Sequence, residues 1–128
     1  MSFRWAGLQK IALELALDNP SEARLRSSIN RAYYAAYGEA RDFATVHGYT
    51  WNRRGGSHQQ VWEFIRRGGT TSPGWALPAW KAVGDMGIAL KQLRTVADYS
   101  AVPAPTKIQA DLAINQAQVI IKRLSGLP

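Results

Sequence analysis

Three side chains in the stretch LKQLRTVADYS are spaced to act together. Lys91, Arg94 and Asp98 fall at steps of 3 and 4, so on a helix they share one stripe. An acid at a helix C-terminus opposes the helix dipole unless a cation meets it. Arg94 can meet it locally, and Arg31, in the earlier stretch SSINRAYYAAYGEARDF, is the obvious second cation. A carboxylate held between two arginines would fix both guanidinium planes and leave their outer edges open to a phosphate. The plainer alternative is a solvated ion pair near a helix end, which contributes little to stability.

The elements that must position these groups are helical. Leu25, Ile29, Tyr33, Ala36, Ala40 and Phe43 recur at steps of 3 or 4, the period of one buried helix face. Ser27, Arg31, Tyr34 and Gly38 form a second stripe on the same rod. Either this stripe is half of a polar site or it is simply a half-exposed surface. Helix two is predicted from about Ser21 to Val46, opened by Asp18-Asn19-Pro20-Ser21, a sequence suited to capping and to a first turn. Helix one precedes it from about Phe3 to Leu17, with Trp5, Leu8, Ile11, Ala12 and Leu15 inward.

A short third helix follows from about Ser57 to Arg67, with Val61, Trp62, Phe64 and Ile65 apolar. Helix four starts near Leu77 to Ala79 and runs to about Ala97, and Gly84 and Gly87 imply either a kink or a close helix contact. Helix five spans about Thr106 to Leu124, with Ile108, Leu112, Ala113, Ala117, Ile120 and Leu124 inward. No stretch carries a strand period. The expected fold is all-α: one domain over residues 1–128, an antiparallel bundle of four long helices and one short one.

Composition bounds the function. Hydrophobic residues make up 46% and charged residues 20% of 128, an ordinary globular balance. No run reaches the roughly 18 apolar residues that span a bilayer, so no membrane role is expected. The N-terminal apolar stretch is interrupted by Gln9, Lys10, Glu14 and Asp18 at helical spacing, which fits an amphipathic helix rather than a signal peptide. Cysteine is absent, excluding disulfides, cysteine-based metal sites and cysteine nucleophiles. A cytoplasmic protein without cofactor or metal is the expectation. The formal charge is +7, from 16 Lys and Arg against 9 Asp and Glu, with a pI near 10.1. That balance favours a polyanionic partner, with RNA or a nucleotide first.

Two arginine pairs flank helix three: Arg53 and Arg54 after Trp51, and Arg66 and Arg67 before Gly68-Gly69. Glycine beside arginine can follow a phosphate backbone, and Trp51 could stack on a base. Ordinary surface charge is the competing explanation for either pair alone. No G-K-[ST] follows the glycines, so a Walker-type phosphate loop is excluded. Trp75 and Trp80 are expected in the core or an interface.

Taken in order, SSINRAYYAAYGEARDF, SHQQVWEFI and LKQLRTVADYS resemble the HEPN superfamily of small helical bundles. The similar branch carries S-x-A-Y-Y-A on its second helix and R-x-x-A-D-Y at the end of its fourth. The resemblance implies a homodimer with a cleft at a shared helix interface. It also implies metal-independent ribonuclease activity as a toxin or defence effector. The superfamily signature places a histidine four to six residues after an arginine. Arg94 matches that arginine, but Tyr99 stands where the histidine would be. A tyrosine, with an ordinary pKa near 10, is a poor base at neutral pH.

Under this resemblance Arg94, Asp98 and Tyr99 become the catalytic candidates. Arg31, Tyr34, His58, Arg53 and Arg54 become the candidates for substrate or phosphate contact. His58 either approaches the cleft or packs at the start of helix three, and His47 is expected to be a loop residue without a role. Besides an RNA-binding protein or ribonuclease, two other functions are implied. One is a non-catalytic partner of a small nucleotidyltransferase in a two-component, toxin–antitoxin-like system. The other is a structural dimer whose Arg-Asp-Tyr cluster sets helix register.

Overall fold

The computed structural model describes residues 4–51, 56–70 and 72–128. Arg53 and Arg54 lie outside the described residues. Five α-helices carry the fold and no strand occurs among the described residues: α1 Leu8–Leu15, α2 Glu22–Val46, α3 Ser57–Arg66, α4 Leu77–Tyr99 and α5 Lys107–Ser125. The molecule is an all-α helical bundle, as the periodicity requires. No described helix is long and apolar enough to cross a membrane.

Local chemistry explains most helix bounds. Ser21 caps α2 by accepting from the Arg24 amide at 3.2 Å, and Glu22 sits at the positive end of the dipole. Thr106 and Gln109 close a reciprocal capping box at the start of α5, and Lys122 and Arg123 occupy its last turn. The first helix is shorter than its periodicity implies. Trp5–Gly7 form a 3-10 turn, α1 proper ends at Leu15, and Asp18 and Asn19 both take positive φ, which no helix tolerates.

The long helix α2 packs against every other helix. On one flank α1 and α5 approach it across alanines, including Ala12, Ala32, Ala36, Ala113 and Ala117, all fully buried. Small side chains permit that close approach. The buried Ser28 hydroxyl ties α2 to α1 by donating to the Ala12 carbonyl at 2.6 Å. On the other flank aromatic groups fill the space: Tyr33, Trp62 and Trp80 are each no more than 1% exposed. Gly87 lies against the Trp62 ring, and a Cβ at Gly84 would sit 2.6 Å from the backbone of Arg66. Of the two options left open by these glycines, close contact is the one that forms.

Several apolar residues expected inside are outside. Ile11, Ile108 and Leu112 are exposed. Of the two tryptophans expected in the core or an interface, Trp80 is in the core and Trp75 is exposed in this chain. On α5, Ala113, Ala117, Ile120 and Leu124 are buried as expected, and Ala110 rather than Ile108 or Leu112 completes the face. Alanine wins the inner face there because helix separation, not side-chain size, decides what fits. His47 ends α2: its Nδ1 lies 2.8 Å from the Phe43 carbonyl and its ring stacks on Phe43 at 4.1 Å, so it has a packing role.

Candidate functional site

Helices α2, α3 and α4 bring most of the candidate residues to one seam. At its centre Arg94 is only 9% exposed. Its guanidinium lies over Tyr33 at 5.0 Å and Tyr34 at 5.6 Å, and one end reaches Asp98 Oδ2 at 3.3 Å. Aromatic faces carry negative potential, so they hold the cation where water is scarce. Arg94 Nε is enclosed without a hydrogen-bond partner. The cation is seated for packing, with one end turned to the carboxylate.

Asp98 does not sit between two arginines. Its Oδ2 accepts from Asn30 Nδ2 at 3.1 Å as well as from Arg94, while Arg31 donates to Asn30 Oδ1 at 2.7 Å. Arg31 therefore stands one link removed, at the end of a chain Arg94–Asp98–Asn30–Arg31. The reason is rotational. One residue turns a helix by 100°, and α2 presents residue 30 rather than 31 to α4. The cation that meets the C-terminus of α4 is Arg26, which donates to the carbonyls of Ala97 at 2.6 Å and Ser100 at 2.7 Å. Glu22 orients it at 2.7 Å.

The polar stripe of α2 is thus shifted by one step from its expected position. Arg26, Asn30, Tyr34, Tyr37 and Arg41 line the seam, at the same helical spacing as the Ser27 stripe. Gly38, expected on the stripe, is covered: a Cβ there would overlap the Trp5 ring. Asn30 and Arg26 were missed because the Ser27–Arg31–Tyr34 series has equal periodicity. The readable signal would have been the 26-30-34 run facing the charged end of α4.

A second group joins the seam from α3. His58 stacks on Tyr37 at 3.9 Å and meets Tyr34 edge to face at 5.7 Å. Tyr33, expected as a plain core residue, is the hub. Its hydroxyl accepts from Trp62 Nε1 at 3.1 Å and lies 2.8 Å from His58 Nδ1. An indole N–H can only donate, so Tyr33 is the acceptor for Trp62, and the direction of its second bond follows the tautomer of His58. Burial pushes the His58 pKa down to about 4, helped by the positive charges of Arg94, Lys91 and Arg41. Burial raises the Tyr33 hydroxyl well above its ordinary value. His58 is therefore neutral near pH 7, with its Nδ1 held against the Tyr33 hydroxyl. With a pKa of about 4 it is a weak base near neutral pH.

The remaining candidates lie at the margins. Tyr99 is 79% exposed and shares a shallow cleft of about 340 Å³ with Asp98, Arg26 and Glu22. Arg31 and Asn30 border a neighbouring cleft of about 310 Å³ with Ser27 and Asp98. Arg66 is tied to Asp85 at 2.7 Å, which draws it away from an open anion-binding edge. No cluster of three or more potential metal ligands occurs among the described residues. Compared with known proteins, the chain matches no family model, no curated protein and no solved structure.

Proposed function

We propose that this chain is a HEPN-like RNA-binding protein whose Arg94 cluster orders a phosphate-contacting edge rather than cutting the RNA. The observation that carries this reading is the chain from buried Arg94 through Asp98 and Asn30 to exposed Arg31. It fixes the Asn30 amide and aims a guanidinium at a cleft of about 310 Å³ on a chain of charge +7. A held arginine loses less freedom on meeting phosphate than a loose one. Catalysis has weaker support. Transfer of a 2′-hydroxyl proton needs a base, and His58, with a pKa lowered to about 4 and its Nδ1 held by Tyr33, is a weak one.

The test is retention of labelled RNA by the purified protein across a salt series, with EDTA present and RNA integrity read on the same samples. Salt-sensitive retention of intact RNA, weakened in Arg31→Ala, is the expected result. Absence of retention at low salt would remove the reading. Shortened RNA that disappears with Asp98→Asn would convert it to the ribonuclease form.

A second reading is the non-catalytic partner of a small nucleotidyltransferase. It is favoured by one observation, the exposed apolar stripe Ile108, Leu112 and Val119 on α5. A nucleotidyltransferase encoded by an adjacent gene should then co-elute with the protein and be released by Leu112→Glu.

A further inference from the structure

The cleft of about 310 Å³ between α2 and α4 is lined by Arg26, Ser27, Asn30, Arg31, Ala97 and Asp98. The bonds already made decide which of these groups can meet a ligand. Arg26 is engaged by the Ala97 and Ser100 carbonyls and by Glu22. Both ends of the Asn30 amide are engaged, its nitrogen by Asp98 and its oxygen by Arg31. Asp98 Oδ2 accepts from Asn30 and from Arg94, while Oδ1 accepts from no group among the described residues. Arg31 uses Nη1 on Asn30 and keeps its other donors. The exposed Ser27 hydroxyl makes no hydrogen bond among the described residues. Three groups therefore remain: one carboxylate oxygen, one hydroxyl and part of one guanidinium.

A carboxylate is out of place in a site for phosphate alone, because its charge opposes that of the phosphate. Arg94 offsets the charge at 3.3 Å, but it does so through Oδ2. Holding the Asn30–Arg31 chain also uses only Oδ2. Oδ1 faces the cleft as a pure acceptor, and only a donating group can satisfy it.

The four bases differ in what they present to such an acceptor. Guanine carries two adjacent donors, N1–H and the N2 amino group, with the acceptor O6 beside them. Adenine and cytosine place a ring acceptor next to their amino group. Uracil sets its N3–H between two carbonyl oxygens. In each of these three, an acceptor lies against the carboxylate and is repelled. The amide of Asn30, a side chain suited to adenine, has neither end to spare.

We propose that Asp98 selects guanine, an inference that rests on the RNA-binding reading above. Oδ1 accepts from guanine N1–H and N2–H, the Ser27 hydroxyl donates to O6, and Arg31 holds a neighbouring phosphate. The ligand is a guanosine within single-stranded RNA, where the pairing edge of the base is open. Asp98 then has two duties, with Oδ2 ordering the edge and Oδ1 reading the base.

The experiment measures fluorescence anisotropy of labelled short oligouridines whose central base is uracil, adenine, cytosine, guanine or hypoxanthine, at low salt with EDTA. The guanine RNA should bind about tenfold more tightly than the adenine and cytosine RNAs, the scale of one good base contact. Hypoxanthine keeps N1–H and O6 but lacks the amino group, so its RNA should fall between. Asp98→Ala should bring all the RNAs to one affinity. Arg31→Ala should weaken all of them by a similar factor and preserve their order. Circular dichroism and urea unfolding report whether each variant is folded, and the hypoxanthine comparison tests the same contact in the unaltered chain. Equal affinity for the guanine and adenine RNAs overturns the proposal, and so does hypoxanthine bound as tightly as guanine. A guanine preference kept by folded Asp98→Ala overturns it as well. Equal affinities with a salt slope still reduced in Arg31→Ala defeat the guanine inference alone. Failure of every RNA to bind at low salt defeats the RNA-binding reading and this inference together.

Discussion

Tyr33 connects more of the seam than any charged residue does. Its hydroxyl accepts from Trp62 and bonds His58 Nδ1, and its ring lies under Arg94. Replacing it by Phe keeps the ring but strands a buried indole N–H and an imidazole nitrogen. Tyr33→Phe should lose about 1–3 kcal/mol, the penalty for unsatisfied buried groups, measured by urea unfolding. His58 gives a pH signature. Its folded pKa of about 4 lies below the ordinary 6.5, so the unfolded chain takes up the proton first. Its contribution is therefore whole above about pH 6.5, declines as pH falls towards 4, and changes little below that. His58→Gln removes the titration, and its unfolding free energy should fall less steeply between pH 6.5 and 4 than that of wild type. An identical slope in both proteins would contradict this assignment. The sequence displayed these groups, since His58 and Trp62 are four apart on α3. It also placed Tyr33 on the buried face and Tyr34 on the other stripe, but helical period cannot display that the Tyr33 hydroxyl is met by Trp62 and His58.

At the scale of elements, caps and breakers were readable where short-range chemistry decides. Ser21 and Thr106 open α2 and α5 within a residue of expectation. The N-terminal helix was overextended because apolar spacing continues past Leu15, whereas the chain turns on two residues of positive φ. The inner face of α5 was read correctly at Ala113, Ala117, Ile120 and Leu124 and wrongly at Ile108 and Leu112, which outweigh Ala110 in any hydrophobicity count. Packing distance reverses that ranking, and only tertiary structure contains packing distance. Gly84 and Gly87 mark the same effect on α4, where α3 crosses with no room for a methyl group. Gly84→Ala improves helix propensity but drives a Cβ into the Arg66 backbone. A net loss of about 1–3 kcal/mol is expected, from overpacking that exceeds the propensity gain. A thermal midpoint at or above that of wild type would show that α3 can shift at no cost.

For the whole molecule, fold class followed from helical periodicity alone, while the site did not. A stripe offset by one residue is invisible to period and decisive for contact: Asn30 reaches Asp98 and Arg31 does not. The charge of +7 was equally plain, and its arrangement matters more than its sum. Arg26 is consumed by carbonyls and Arg66 by Asp85, leaving Arg31 and Arg41 as exposed cations on the α2 seam. RNA binding by this surface should follow a log-log salt line, with a slope reduced by about 1 in Arg31→Ala from one lost phosphate contact. An unchanged slope would place the RNA elsewhere.

The position of α2 has a consequence for motion. Because every other helix leans on it, none of its central amides can meet solvent until a whole flank has departed. The alanine flank is held by α1 and α5, and the aromatic flank by α3 and α4. In deuterated buffer the amides of α2 near Tyr33 and Ala36 should be the last to exchange, at a rate set by global unfolding. The short α1 should exchange sooner through its own partial release.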